Sequence, residues 1–512
     1  MEQLYNGITL PETWPPNNRS IDDAEKMKIP YLEKKPEVIC IDRGRQLFVD
    51  DFLIAETDLR TVYHQAVKYE GNPVFTAQTE FENEVLPCAC PKSGGVWFDK
   101  FDGKYKMWYE AGWLNKLAYA ESDDGLHWVR PSLDVVPGTN LILPGVVCDS
   151  STVFIDYDTT NVNERYKLFM REPGGLKPGL AYTSPDGIHW SEPTRTEPIH
   201  DRSTMFYNPF RKKWVYSIRF HRTDHPAGRV RYYRECDDYI KGANWSEDEA
   251  VFWMRVDQED LPDPVIGVSP ELYNFDAVAY ESIMLGMFQI WRGPQNKVCA
   301  QGGYPKITEL VAAYSRDGFH FHRPDREPFI SASRKKESWD RGYVQSVGGL
   351  CLVKDDELWF YYIGFQGDEN NKNPVGKLNG MHAKASTGIA KLRRDGFASL
   401  SGTGNMMTEK MICHGKKYLF VNANSIKGQI LVEVLDENEQ CLAGFSASEC
   451  IPIIADKTKM VVQWQTGNDL SFLDGIPFKL RFHLKESDLY AFWLSDDIGG
   501  SSNGFDAAGS PS

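Results

Sequence analysis

"AYTSPDGIHW" (181–190) reads as the end of a strand, a tight Asp-Gly turn and an aromatic landing. Gly accepts the positive φ that such a turn demands, and the short Asp side chain bonds the turn backbone. The phrase recurs along the chain. "AYAESDDGLHWVRP" ends its motif at Trp128, and "AAYSRDGFHFHRP" puts Phe321 in the aromatic place. "RYYRECDDYIKGANWSED" reaches Trp245 through a longer turn, and "GIAKLRRDGFASL" keeps Asp395-Gly396 with Phe397. The intervals are too irregular for a solenoid but suit propeller blades with variable loops. So many near-copies make these aspartates scaffold rather than catalysts.

A second phrase precedes each turn. "GGVWFDKFDGKYKMWYEAG" (94–112) is two strands around a polar turn, as are the stretches 151–172, 203–220, 276–293 and 348–365. Val96 to Tyr109, Met205 to Ile218 and Val278 to Trp291 share one spacing, so the unit is a four-stranded antiparallel blade. Alternation such as Tyr105, Met107 and Tyr109 fits strands buried between neighbouring blades. The expected fold is all-β: a five-bladed β-propeller over 46–405 followed by a β-sandwich over 411–497. A Pro-rich extension (1–45) is expected to wrap the surface, and 498–512 reads as a disordered tail. The runs 46–56 and 61–65 look like strands that complete the last blade and close the ring.

The formal net charge of −15 argues against a nucleic-acid partner. The ten cysteines show no zinc-finger spacing, and no apolar run approaches a membrane span. No phosphate loop, nucleotide fingerprint or metalloprotease motif occurs, so neither cofactor nor metal is expected. The polar, proline-rich start does not read as a signal peptide. A cytoplasmic location is expected, or a periplasmic or secreted one if a leader has been removed.

In a propeller the first strand of every blade starts near the axis, so residues just before those strands converge. Asp149 lies four residues before Val153 and Asp201 four before Met205, which puts two carboxylates at equivalent places in adjacent blades. Cleaving a glycosidic bond needs an acid facing a base or nucleophile. Blade four adds a third acid in one of two registers. Either Asp276 and Glu271 lie near the axis, or the inner strand begins at Ser282 and Glu281 does. Glu84 is blade one's candidate, and Asp340 and Gln345 are blade five's. Arg171, Arg219 and Arg292, near the ends of second strands, form a set able to grip a carboxylate or sulfate on a sugar. Trp113, Trp291 and Trp339 are candidates for stacking on sugar rings.

With these phrases, notably "SGGVWFDKFDGKYKMWYEAG", "DGIHW" and "YSRDGFHF", residues 46–400 resemble the five-bladed propeller glycoside hydrolases. The likeness is greatest to proteins called family 32-like, as a divergent member, with families 43 and 68 more distant. The resemblance implies an aspartate nucleophile in blade one, a stabilising aspartate in blade two and a glutamate acid/base further on. The nucleophile motif would fall near "CPKSGG" (90–95), which holds no carboxylate. The stabiliser's counterpart is Asp149 in "CDSS", and Glu281 or Glu271 is the positional match for the acid/base. Glu235 in "REC" matches the family's Glu-Cys motif literally but falls in a third strand. The expected function is hydrolysis of a glycosidic bond in a complex poly- or oligosaccharide, with Asp149 or Asp201 as base or nucleophile. The competing expectation is a non-catalytic carbohydrate-binding propeller.

Overall fold

The Asp-Gly turns close on themselves through one repeated set of bonds. Ser184 Oγ accepts the amides of Asp186 and Gly187, and Asp186 Oδ1 accepts those of Ile188 and His189 at 2.8 Å. The His189 ring closes on Oδ2 at 2.7 Å. Ser122-Asp124-His127 and Ser315-Asp317-His320 repeat the pattern. Each turn is also clasped by another blade. Trp108 Nε1 donates to Gly187 O at 2.7 Å, Trp253 Nε1 donates to Phe319 O at 2.9 Å, and the Tyr361 hydroxyl donates to Gly125 O. Gly187 has φ +79°, and a Cβ there would lie 2.6 Å from the Trp108 ring. Gly187→Ala is therefore expected to cost about 1–3 kcal/mol in denaturant unfolding, since strained φ and contact add. Gly103→Ala, at φ +73° in open space, is the milder control.

The computed structural model describes residues 1–373, 375–376 and 378–511, except the side chain of Glu247. Five antiparallel sheets form the blades of a propeller. Blade one holds Ala89–Cys90 and Val96–Asp99 as an interrupted inner strand, then Lys104–Ala111, Lys116–Ser122 and Leu141–Ile142. Blade two runs Ser150–Ile155, Tyr166–Arg171, Lys177–Ser184 and Thr194–Ile199; blade three runs Thr204–Asn208, Lys213–Arg222, Gly228–Cys236 and Val251–Met254. Blade four holds Glu271–Glu281, Ile283–Gly293 and Ile307–Ser315, and blade five Gly342–Ser346, Leu352–Lys354, Glu357–Phe365 and Ala385–Arg393.

Ring closure departs from expectation. The outer strand of blade five is Val67–Lys68, paired with Lys391 and Ala390, and Phe75 bridges Thr387. Stretches 46–56 and 61–65 do not close it. Ile54–Thr57 and Arg60–Tyr63 instead pair with Ala398–Thr408, and Gln46–Leu47 with the later strand Phe478–Ser495. Asp395-Gly396 thus leads out of the propeller, and Asp395 rather than the glycine takes the left-handed conformation, at φ +60°.

The C-terminal strands belong to one ten-stranded sheet, which also takes in Ile39–Cys40, Gln46–Leu47, Ile54–Thr57 and Arg60–Tyr63. Its spine is the 18-residue strand Phe478–Ser495, which pairs through its first half with Gln429–Asp436 and through its second with Tyr418–Asn424. Val432, Phe482, Val421 and Phe492 share one apolar cluster, so the sheet curls around a core. The end of the chain is not a disordered tail: Phe505–Asp506 pairs with Tyr280 and Glu281, and Ala508 is buried. Ser512 lies outside the described residues. The N-terminal extension lies on blades three and four, where Tyr5 donates to Ser282 O and Trp14 to Glu235. No described helix is long and apolar enough to cross a membrane.

Candidate functional site at the propeller mouth

The inner strands enter the axis at one end of the propeller, and several do so through unusual backbone. Lys92, Ser93, Arg202 and Tyr343 have φ of +43°, +71°, +63° and +52°. Non-glycine residues in this region cost about 1–3 kcal/mol each and cluster where a site needs them. Tyr273 is the extra residue of a β-bulge between Leu272 and Asn274, and Tyr343 sits in a second bulge in blade five. Bulges re-aim side chains. Here they bring the two phenol oxygens to 3.3 Å.

Asp149 and Asp201 meet around one guanidinium. Asp149 Oδ1 lies 3.2 Å from Arg202 Nη2 and Oδ2 3.0 Å from Arg171 Nη1. Asp201 Oδ1 takes Arg219 Nη2, while Oδ2 is 3.9 Å from Arg202 Nε, beyond hydrogen-bond reach. The Asp201 side chain is 27% exposed against 12% for Asp149. Glu271 of blade four accepts the Arg229 amide at 3.0 Å and Arg229 Nη1 at 2.7 Å. Its carboxyl lies 2.4 Å from where a Cβ on Gly228, at φ +59°, would be, so a side chain there would push Glu271 away from Arg229. In blade one, Lys92 pairs with Glu110 and stands 4.0 Å over the Trp113 ring.

These neighbours set the charge states. Burial alone would raise the Asp201 carboxyl, but Arg219, Arg202 and Arg171 hold it well below the ordinary range. His200, half-buried beside these cations, is depressed to about 4 by burial and then by Arg219, so it is neutral at pH 7. Glu110 moves the other way: burial pushes it to about 7 against the pull of Lys92. Burial would raise Tyr273 too, yet Lys306, whose Nζ donates to its hydroxyl at 2.8 Å, and then Arg202 and Arg229 bring it down to about 8. An alkaline absorbance titration should therefore show one tyrosine ionising near pH 8. Tyr273→Phe should abolish that step; a first midpoint at 10 or above in the parent protein would refute it. Because the folded value lies below the unfolded one, this group's stabilisation is full above about pH 10 and is lost as pH falls through 8.

Below the mouth, Asp276 Oδ2 gathers hydrogen bonds from Ser93, Asn274 and Ser346, and Gln345 donates to Ser93 at 2.9 Å. Asp276, itself buried, thus ties the inner strand of blade four to residues of blades one and five.

The structure brings Asp149, Asp201, Glu271, Arg171 and Arg219 together at the mouth, and settles the register of blade four in favour of Glu271. Glu281 lies ten residues along the same strand, about 30 Å away at strand rise. There it faces Arg45, Arg394 and Ser502 between propeller and C-terminal sheet. Glu84 is an exposed partner of Lys116 at 2.6 Å. Arg292 points into a side cluster with Glu309 and Leu261 O, and Arg229 takes the place expected for it. Asp340 binds Lys68 of the closing strand. Trp113 is buried against His382, at 4.2 Å, and Trp291 lies beneath Arg229; Trp339 packs on Tyr362. Glu235 is taken by Arg211 and Trp14. Sequence reasoning missed Arg202, Arg229, Tyr273, Lys306 and Tyr343. Of these only Arg202, next to Asp201, carried a positional signal. It also missed Cys40, Asp42 and His414, whose candidate ligand atoms lie within 4.8 Å of one another away from the mouth.

No protein-family model matches the sequence, and no curated protein matches it. Among solved structures, the chain is similar to an N-acetylgalactosamine deacetylase from F. plautii, solved with blood group B trisaccharide. That likeness has 17% identity and a TM-score of 0.43, over 67% of this chain and 96% of the other. It is also similar to a thermostable family-43 glycoside hydrolase (12% identity, TM-score 0.39, 61% and 95% covered). A third is an exo-β-1,3-galactanase from Phanerochaete chrysosporium (10% identity, TM-score 0.33, 85% and 100% covered).

Proposed function

We propose that this chain is a glycoside hydrolase cleaving a glycosidic bond in a poly- or oligosaccharide at the propeller mouth. The observation that carries the reading is Asp201. It is the most open carboxylate among the acids gathered there, is held ionised by three arginines, and keeps Oδ2 free of hydrogen bonds from the described residues. Such a group serves as base or nucleophile. Asp149, with both oxygens taken, holds Arg202 and Arg171 in place and stabilises positive charge developing on the sugar. Glu271, on the far side of Arg229, is the proposed proton donor to the leaving oxygen.

A second reading, a non-catalytic sugar-binding propeller, is favoured by the arginine engagement of Asp149 and Glu271. A glycan panel assayed with the parent protein, Asp201→Asn, Asp149→Asn and Glu271→Gln separates the two. Cleavage that depends on these residues supports the enzyme. Glycan binding without cleavage by the parent supports the binder, and cleavage that survives all three changes overturns the site.

A further inference from the structure

The mouth carries more positive charge than its own carboxylates neutralise. Lys306 is buried, and its ammonium donates to the Tyr273 hydroxyl with no carboxylate in ion-pair range among the described residues. Arg231 is fully buried and, among the described residues, donates only to Ser217 O, Tyr273 O and Asn274 Oδ1. Arg219 Nη1 and Arg229 Nε are buried N–H groups without an acceptor among the described residues. A buried cation without a counter-charge is costly, and buried charges are normally paired. The excess is local, since the chain as a whole carries −15. A cationic floor in an acidic protein concentrates its field on the mouth.

Resting on the reading of this mouth as a sugar site, we infer that it takes an anionic sugar. A carboxylate or sulfate on the ring would be received by Arg219, Arg229 and Lys306. The planar guanidinium forks offer paired donors to either group, and Lys306 adds a point charge. The positions agree: Arg219 and Arg229 stand 5.5 and 4.8 Å over the Tyr273 ring, and Lys306 stands 4.4 Å over it, so the three donors surround one phenol.

Calorimetric titration of the whole chain with D-galacturonic acid, D-galactose and D-galactose 6-sulfate tests this. At least one anion is expected to bind about tenfold or more tightly than galactose, the size of a single charge-assisted hydrogen bond. Whether the acid or the sulfate ester gains the advantage identifies the group. The preference should weaken with added salt and be lost in Arg219→Gln and in Lys306→Met, but persist in Arg292→Gln. Equal binding of galactose and both anions by the parent protein overturns the inference, even if a variant fails to fold. The two proposals fail separately. Anion preference without cleavage leaves this inference standing and removes the hydrolase, whereas cleavage with no preference for charged glycans does the reverse.

Discussion

Asp201→Asn is expected to lower turnover of a cleaved glycoside by about 10²–10⁴-fold, the usual contribution of a positioned acid–base group. The amide keeps the size of the side chain and one carbonyl oxygen for Arg219, but it removes the charge that Arg219, Arg202 and Arg171 hold ionised. The melting temperature should therefore fall as well, and turnover is compared at a temperature where both proteins are folded. What disappears is the negative charge and the free oxygen that would attack carbon or activate water. Asp149→Asn should slow turnover as well, but it also loosens Arg171 and Arg202, so the melting temperature should fall with activity. Full activity in Asp201→Asn would exclude that residue as base or nucleophile, whatever the other carboxylates do. Glu281→Gln is the internal control, because it carries the same chemical change far from the mouth and should leave turnover intact.

The largest expected effect on stability is that of Arg45→Met. Arg45 Nη1 reaches Asp395 Oδ2 and Thr458 O, each at 2.8 Å, its Nε faces Glu281 at 3.5 Å, and its guanidinium lies 4.1 Å over Trp493. All of these groups are buried where propeller and C-terminal sheet meet. Burial, and then the neighbouring Asp395, raise Glu281 against the pull of Arg45, while Arg45 and Arg394 overcome burial to hold Asp395 low. Without Arg45, two carboxylates share that space with Arg394 alone. Removing one partner of a buried ion group costs about 3–5 kcal/mol. The sign with pH follows: losing Arg45 raises the folded-state values of both acids, so the variant's deficit should be greatest near pH 7. It should shrink towards pH 5 as the carboxyls take up protons. Urea unfolding at both values checks this, and a deficit below about 1 kcal/mol at pH 7 would mean that the cluster contributes little.

The repeat was readable because its bonds are local. Ser184, Asp186, Gly187 and His189 satisfy one another within six residues, so every copy needs the same letters, and counting back from them reaches Asp149 and Asp201. Tyr273 and Tyr343 escaped the same count because each sits in a bulge, which shifts register by a residue and leaves no mark in an alternating pattern. Lys306 and Arg229 reach the mouth only through contacts between blades, set by the ring and not by any short phrase. Blade five's outer strand escaped for another reason: Val67–Lys68 is too short to show periodicity, whereas 46–56 holds the apolar runs Leu47–Val49 and Phe52–Ala55, which look more like strand. Asp395-Gly396 copied the letters of the turn but not its geometry, since the serine two residues before the aspartate is replaced by Arg393.

The closing strand also sets the order in which the molecule can be completed. Val67 and Lys68 leave the ribosome early, but Ala390 and Lys391 follow only after blades one to four and most of blade five. At about 5–20 residues per second the first segment waits on the order of tens of seconds for its partner. During that interval the nascent ring has an unpaired edge at each end, and sequence-distant pairings of this kind form slowly. A chain interrupted before residue 390, or begun after residue 68, keeps such an edge permanently and is exposed to strand-to-strand aggregation.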